Sequence, residues 1–216
     1  MEIRTNLNLG LLNKYNPVSI QQELEWAAGV SSLLKDGLIA LGDKYVDPYL
    51  RNQAQTGSLE AIQARRQQVQ QYFAAVFSAD WVVLTLGLTE TWFDRTTRQA
   101  LTEIPSPRLL QQYRDRFNFK QLSYPECAAV LKSICTLLKR YSKPELKILV
   151  TVSPVALERT FSGQDILAAN DVEIVSVRCR WLSGCQCQRG RLFPLLRSSD
   201  ALDSRISLAT GSTQCH

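Results

Sequence analysis

The stretch Asp80-Trp-Val-Val-Leu-Thr-Leu-Gly-Leu-Thr-Glu-Thr-Trp92 decides the fold class. From Trp81 to Gly87 it is an almost unbroken run of β-forming apolar residues, with Thr85 the one polar member. A run this short, without charge on either face, predicts a strand buried on both sides in a parallel sheet. Gly87 ends it, and polar groups follow at Thr89, Glu90 and Asp94. Open α/β sheets hold their ligands at the carboxyl ends of strands, so chemistry is expected just past Gly87.

Working outward, Ser58-Leu-Glu-Ala-Ile opens a helix before this strand, with Ser58 as N-cap. Its apolar face is Ile62, Val69, Tyr72, Phe73 and Val76, which leaves Arg65 and Arg66 on the solvated face. Further upstream, Pro17 stands at a helix start, and apolar spacing from Ile20 to Leu34 predicts an amphipathic helix. Gly37, Gly42 and Pro48 then break the pattern. After the strand, residues 93–122 read as a surface excursion with a short helix near Arg108 to Arg114. Ser123-Tyr-Pro-Glu126 is a strong helix start, and that helix runs through Val130, Leu131, Ile134, Leu137 and Leu138. Lys147-Ile-Leu-Val-Thr-Val-Ser153 repeats the buried-strand pattern and is halted by Ser153-Pro154. Helix, strand, helix, strand is the pattern of an α/β fold with a parallel sheet.

Composition agrees with a globular chain. Of 216 residues, 45% are hydrophobic and 21% charged, enough for one domain with a core that needs no staples. The net charge of +5 comes from scattered residues rather than a block, so no nucleic-acid partner is expected. No apolar span is long enough for a membrane and the start has no signal-peptide pattern, so the expected compartment is the cytoplasm. Cys127 and Cys135 sit on one helical face and read as small buried hydrophobes.

The character of the chain changes after Asn170. All eight lysines lie before it, while the last 46 residues hold six arginines, seven serines and four of the six cysteines. Cys179, Cys185 and Cys187 match no standard zinc spacing, and His216, the one histidine, is the final residue. No metal and no cofactor are expected.

Several segments resemble the GSCFA family, a branch of the SGNH-type hydrolases. They are Leu11-Leu-Asn-Lys-Tyr-Asn-Pro-Val-Ser-Ile20, Val83 to Trp92, and Val150-Thr-Val-Ser-Pro-Val155 with Thr160-Phe161 and Ala169-Asn170. Phe117-Asn-Phe119 with Leu122-Ser123 resembles the family's middle segment. The resemblance implies a flavodoxin-like (SGNH-type) three-layer fold and serine-dependent ester hydrolysis, with a small-molecule ester or acylated saccharide as partner. Such chemistry needs a serine activated by a histidine, a carboxylate to orient it, and donors for the oxyanion. Gly87-Leu-Thr-Glu90 stands where SGNH enzymes carry Gly-x-Asn-Asp, which puts Thr89 at the oxyanion position and leaves Glu90 to brace the loop or to act in chemistry. The resemblance marks Gly87, Thr89, Glu90, Ser153 and Asn170 as candidate substrate-binding residues.

The departures from the family are as informative. The Gly-Ser-Cys-Phe-Ala element with its nucleophile is absent before Leu11, and no Asp-x-x-His follows Asn170; Thr213 stands three residues before His216. The expectation is a partial domain over residues 1–170 that lacks its first strand, followed by an atypical tail over 171–216. Arg191-Leu-Phe-Pro-Leu-Leu-Arg197 can be encoded so that a shifted frame reads Asp-Tyr-Phe-Pro-Ser-Tyr-Glu, a segment the family carries there. A frameshifted, poorly ordered tail follows from that reading. No catalytic residue is assigned, because Ser153 lacks a Gly-flanked elbow and a histidine partner. The chain is expected to be an inactive fragment of a serine ester hydrolase. The alternative is a non-catalytic α/β binding module. Oligomeric state is left open.

Overall fold

The computed structural model describes residues 9–33, 35–51, 55–153 and 157–169. The atypical tail, Asn170, Pro154 and the cysteines beyond Cys135 lie outside the described residues. Strand β3 (Trp81–Leu86) pairs in parallel with β6 (Lys147–Val152), in a register that sets Leu86 opposite Val152. The helices are α1 (Pro17–Ala27), α2 (Leu59–Ala74), α3 (Pro107–Gln112) and α4 (Tyr124–Tyr141). Two antiparallel hairpins complete the described part: β1 (Ile39–Leu41) with β2 (Lys44–Val46), and β4 (Glu90–Asp94) with β5 (Phe117–Gln121). The α/β class with parallel pairing holds.

The expectation of a strand buried on both faces is overturned. Val82, Leu84 and Leu86 are buried, while Trp81, Val83 and Thr85 face outward, Val83 at 60% exposure. Among the described residues, helices cover one face of the β3–β6 pair. There Leu24 of α1 and Leu131, Ile134 and Leu138 of α4 close over the strand's inner residues. Each such fully buried side chain is worth about 1.5–3 kcal/mol. On the outer face Lys147 lies 4.8 Å from the Trp81 ring centroid, and the hydroxyls of Thr85 and Thr151 hydrogen-bond at 2.9 Å. Apolar run length alone does not distinguish one covered face from two.

Helix starts follow their sequence signals closely. Asn16 caps α1 by accepting from the Ser19 amide at 2.8 Å, Ser58 caps α2, and Ser123 with Glu126 forms a capping box on α4. Lys120 and the box hold the Glu126 carboxyl down at about 2. Helix α1 stops at Ala27, short of the expected Leu34, because Gly29 takes a left-handed conformation (φ 68°). Gly42, read as a breaker, makes the tight turn of the β1–β2 hairpin (φ 69°).

Residues 93–122 are a correction as well. Rather than a surface excursion, they supply the end of β4, all of α3 and all of β5, and they bury Leu101, Leu109 and Phe117. Those three join Trp26, Ile39, Val46 and Tyr49 in a second core on the far side of α1. The Arg95 amide donates to the Arg116 carbonyl at 2.7 Å and closes the base of this insertion.

Arg66 is not on a solvated face. It is 5% exposed, and its guanidinium bonds Glu23 of α1 and Asp47 after β2, with the ring centroid of Trp26 5.1 Å away. Lys14 completes the cluster, 2.7 Å from Glu23 and 2.8 Å from the Tyr49 carbonyl. Burial opposes charge on Glu23, but Lys14 and Arg66 outweigh it and hold the carboxyl below its usual range. Burial also draws the Lys14 ammonium below its ordinary value, although Glu23 pulls the other way. Tyr72, expected in the core, is 37% exposed.

Candidate functional site

The parallel pairing carries one residue past the end of each strand. The Ser153 amide donates to the Leu86 carbonyl at 2.7 Å, so Gly87 and Ser153 leave the sheet side by side. Two of the five candidate residues therefore share the carboxyl mouth of the β3–β6 pair, as the sequence implied. The loop from Gly87 to Thr89 is strapped to the N-terminal segment, with the Leu88 amide donating to the Tyr15 carbonyl at 2.7 Å.

That strap explains the glycine. A β-carbon at position 87 would lie 2.7 Å from the Tyr15 carbonyl oxygen, a backbone atom that cannot swing aside. Gly87→Ala is expected to lower stability by about 1–3 kcal/mol, read as a shift in urea midpoint. An unchanged midpoint would mean that the loop does not lie against Tyr15.

Thr89 and Glu90 are both buried. The Thr89 carbonyl accepts from the Leu122 amide at 2.9 Å, which ties this loop to the end of β5. Glu90, the first residue of β4, reaches across to the segment after β6. Its carboxylate accepts from the Phe161 amide at 3.1 Å and from the Thr160 hydroxyl. Of the two roles open to Glu90 in the sequence, bracing is the one this geometry displays. Phe161 is held further by a triangle of rings: Trp92 and Phe119 lie 5.6 Å apart, and Phe161 is 5.4 Å from the first and 6.0 Å from the second. Glu90 thus fastens residues 160–162 to the β4–β5 hairpin beside the mouth. Asn170 lies outside the described residues.

Two charge-assisted hydrogen bonds onto one buried carboxylate are worth about 1.5–3 kcal/mol each. Glu90→Ala is expected to speed hydrogen exchange of the Phe161 amide by about tenfold or more, since 1.4 kcal/mol is a factor of ten. Unaltered exchange at Phe161 would exclude Glu90 as the brace.

Sequence reading placed Asp94 with the polar groups past the strand, near the chemistry. The structure puts it at the far end of β4, fully buried, accepting from Tyr49 and Arg116. Among the described residues, no group of three or more His, Cys, Asp or Glu is placed to hold a metal ion. No helix of the described residues is long and apolar enough to cross a membrane. The partnership of Glu90 with Thr160 and Phe161 gave no local signal in the sequence, because it joins residues 70 positions apart.

The profile of the GSCFA family matches residues 1–173. The chain belongs to the GSCFA family. Neither the comparison with curated proteins nor that with solved structures finds a match. Within this GSCFA chain, the segments quoted for the resemblance all fall inside the matched range.

Proposed function

We propose that this GSCFA chain carries the substrate-holding part of a serine ester hydrolase of the SGNH type, and that it does not itself turn substrate over. The observation that supports this most is the Ser153–Leu86 hydrogen bond. It sets Gly87 and Ser153 together at the carboxyl ends of parallel strands, with Glu90 fixing residues 160–161 alongside. Sites of α/β folds form at such strand ends. The substrate class is a small-molecule ester or acylated saccharide, with Gly87, Thr89, Glu90 and Ser153 proposed to bind it; Asn170, the fifth candidate from the sequence, lies outside the described residues.

The absence of turnover rests on what acyl transfer requires. A serine needs a general base, and the chain's one histidine, His216, has Thr213 rather than an acid three residues before it. Ser153 is followed by Pro154, not by the glycine of a nucleophile elbow. The same proposal reads residues 171–216 as a shifted frame, which sequencing the gene tests directly. A binding module that holds its ligand without chemistry is the second reading, favoured by the structural use of Glu90.

Exposure to a fluorophosphonate probe followed by intact-mass measurement tests the proposal. The expected result is no stoichiometric adduct. One adduct per chain on Ser153, or on any other serine, would overturn the proposed lack of a nucleophile.

A further inference from the structure

The insertion between β4 and β5 opens a cleft of about 900 Å³ that the reading above does not use. Its apolar wall is made by Trp92, Pro107, Leu110 and Phe117, and its rim carries Arg95, Arg114 and Asp115. We propose that this cleft binds a small organic anion, a carboxylate or phosphate monoester joined to an apolar body.

The charge distribution carries the argument. Three arginines crowd the base of the insertion, and they are not equivalent. Arg116 is spent on Asp94, with Nε 3.0 Å from both carboxylate oxygens and Nη2 2.7 Å from one. Arg95 and Arg114 have no side-chain hydrogen bond or ion pair among the described residues, and Asp115 forms no ion pair with either. Two uncommitted guanidinium groups against one carboxylate leave the rim positive. Guanidinium matches carboxylate and phosphate oxygens in pairs, and it desolvates more cheaply than ammonium.

The wall is preformed. Phe117 and Leu109 are buried in the second core, which anchors β5 and α3. The Trp92 ring is fixed by Phe119 and Phe161. Ser106 caps α3 through the Leu109 amide at 3.4 Å. A rigid apolar wall saves the ligand the ordering cost that weakens most surface clefts. The volume lies within the range of small-molecule pockets, about 300–1,000 Å³. An aliphatic or ring body fits against Trp92 and Leu110 while its anionic end meets the arginines.

The test is calorimetric titration of the full chain at low ionic strength with octanoate, octyl phosphate and octanol. Saturable binding of at least one anion is expected, with octanol weaker by about tenfold or more. Binding by one anion alone identifies the head group. Arg95→Gln with Arg114→Gln should weaken that binding by about tenfold or more at an unchanged unfolding midpoint, since both side chains are exposed. Asp115→Asn should tighten it by about two- to fivefold through lost repulsion, a gain that does not depend on the arginine variant folding. Absent saturation by either anion, equal affinity for octanol, or no response to either variant would overturn the proposal. Its failure would leave the hydrolase reading intact, because the cleft shares no residue with the mouth at Gly87 and Ser153.

Discussion

Arg66→Ala is expected to lower stability by about 3–5 kcal/mol, enough to bring a domain of ordinary stability close to unfolding. The guanidinium bonds Glu23 at 2.7 Å and Asp47 at 2.5 Å, and Glu23 is fully buried. Removing Arg66 leaves Asp47 without its charge partner and Glu23 with Lys14 alone, in a medium that penalises unpaired charge. It also removes the cation stacked on Trp26. The cluster joins α1, α2 and the turn after β2, so its loss loosens three elements at once. Acid should expose the same dependence. Glu23 has a folded value below its unfolded one, so the stability it adds is complete above the unfolded carboxylate value, about 4.3. That contribution is lost as pH falls from there through the folded value. Glu23→Gln is expected to destabilise at neutral pH and to flatten the acid limb of the stability curve. Urea midpoints measured from pH 7 down to 3 check both, and an unchanged acid slope would place the linkage elsewhere.

Asp94→Ala is expected to cost about 3–4 kcal/mol by a related mechanism with a different outlet. Asp94 is fully buried at the end of β4 and accepts from the Tyr49 hydroxyl at 2.9 Å, the Thr96 amide at 2.9 Å and Arg116. It closes the base of the long insertion and binds it to the second core through Tyr49, whose hydroxyl burial holds above its ordinary value. Tyr49 would keep the Thr97 hydroxyl at 2.8 Å, and Arg116, at 16% exposure, can turn partly to solvent. The loss is therefore expected to fall below that of Arg66→Ala. Asp94→Asn should cost less than Asp94→Ala, because one amide oxygen can still accept. Combining Asp94→Ala with Arg116→Met should recover part of the loss, since the second change removes the stranded charge. Strict additivity of the pair would show that Asp94 and Arg116 do not act together.

The sequence was legible where local chemistry acts alone. Ser58, Ser123 and Pro17 announced helix starts, and the runs at Trp81 and Lys147 announced two strands that pair in parallel. It was illegible where long-range packing reverses a local cue. Arg66, beside Arg65 in a polar run, reads as solvated until Glu23 and Asp47 arrive from other elements. Val83 reads as core because apolar periodicity does not report which face the described residues leave uncovered. Residues 93–122, broken by prolines and mixed charge, read as surface, yet Leu101 and Leu109 are wholly enclosed. At the candidate site, Gly87 and Ser153 could be placed from strand ends alone. The brace from Glu90 to Phe161 could not, because no local pattern encodes a contact across that separation.

The measurement that tests the central claim most directly is a pair of readings on one sample of the full chain with an acetylated monosaccharide. Amide spectra follow binding while acetate release is followed in parallel. The account predicts shifts at Gly87, Ser153 and Phe161 with no acetate released above the buffer rate. Acetate accumulating with turnover, or shifts that leave those three amides untouched, would contradict it.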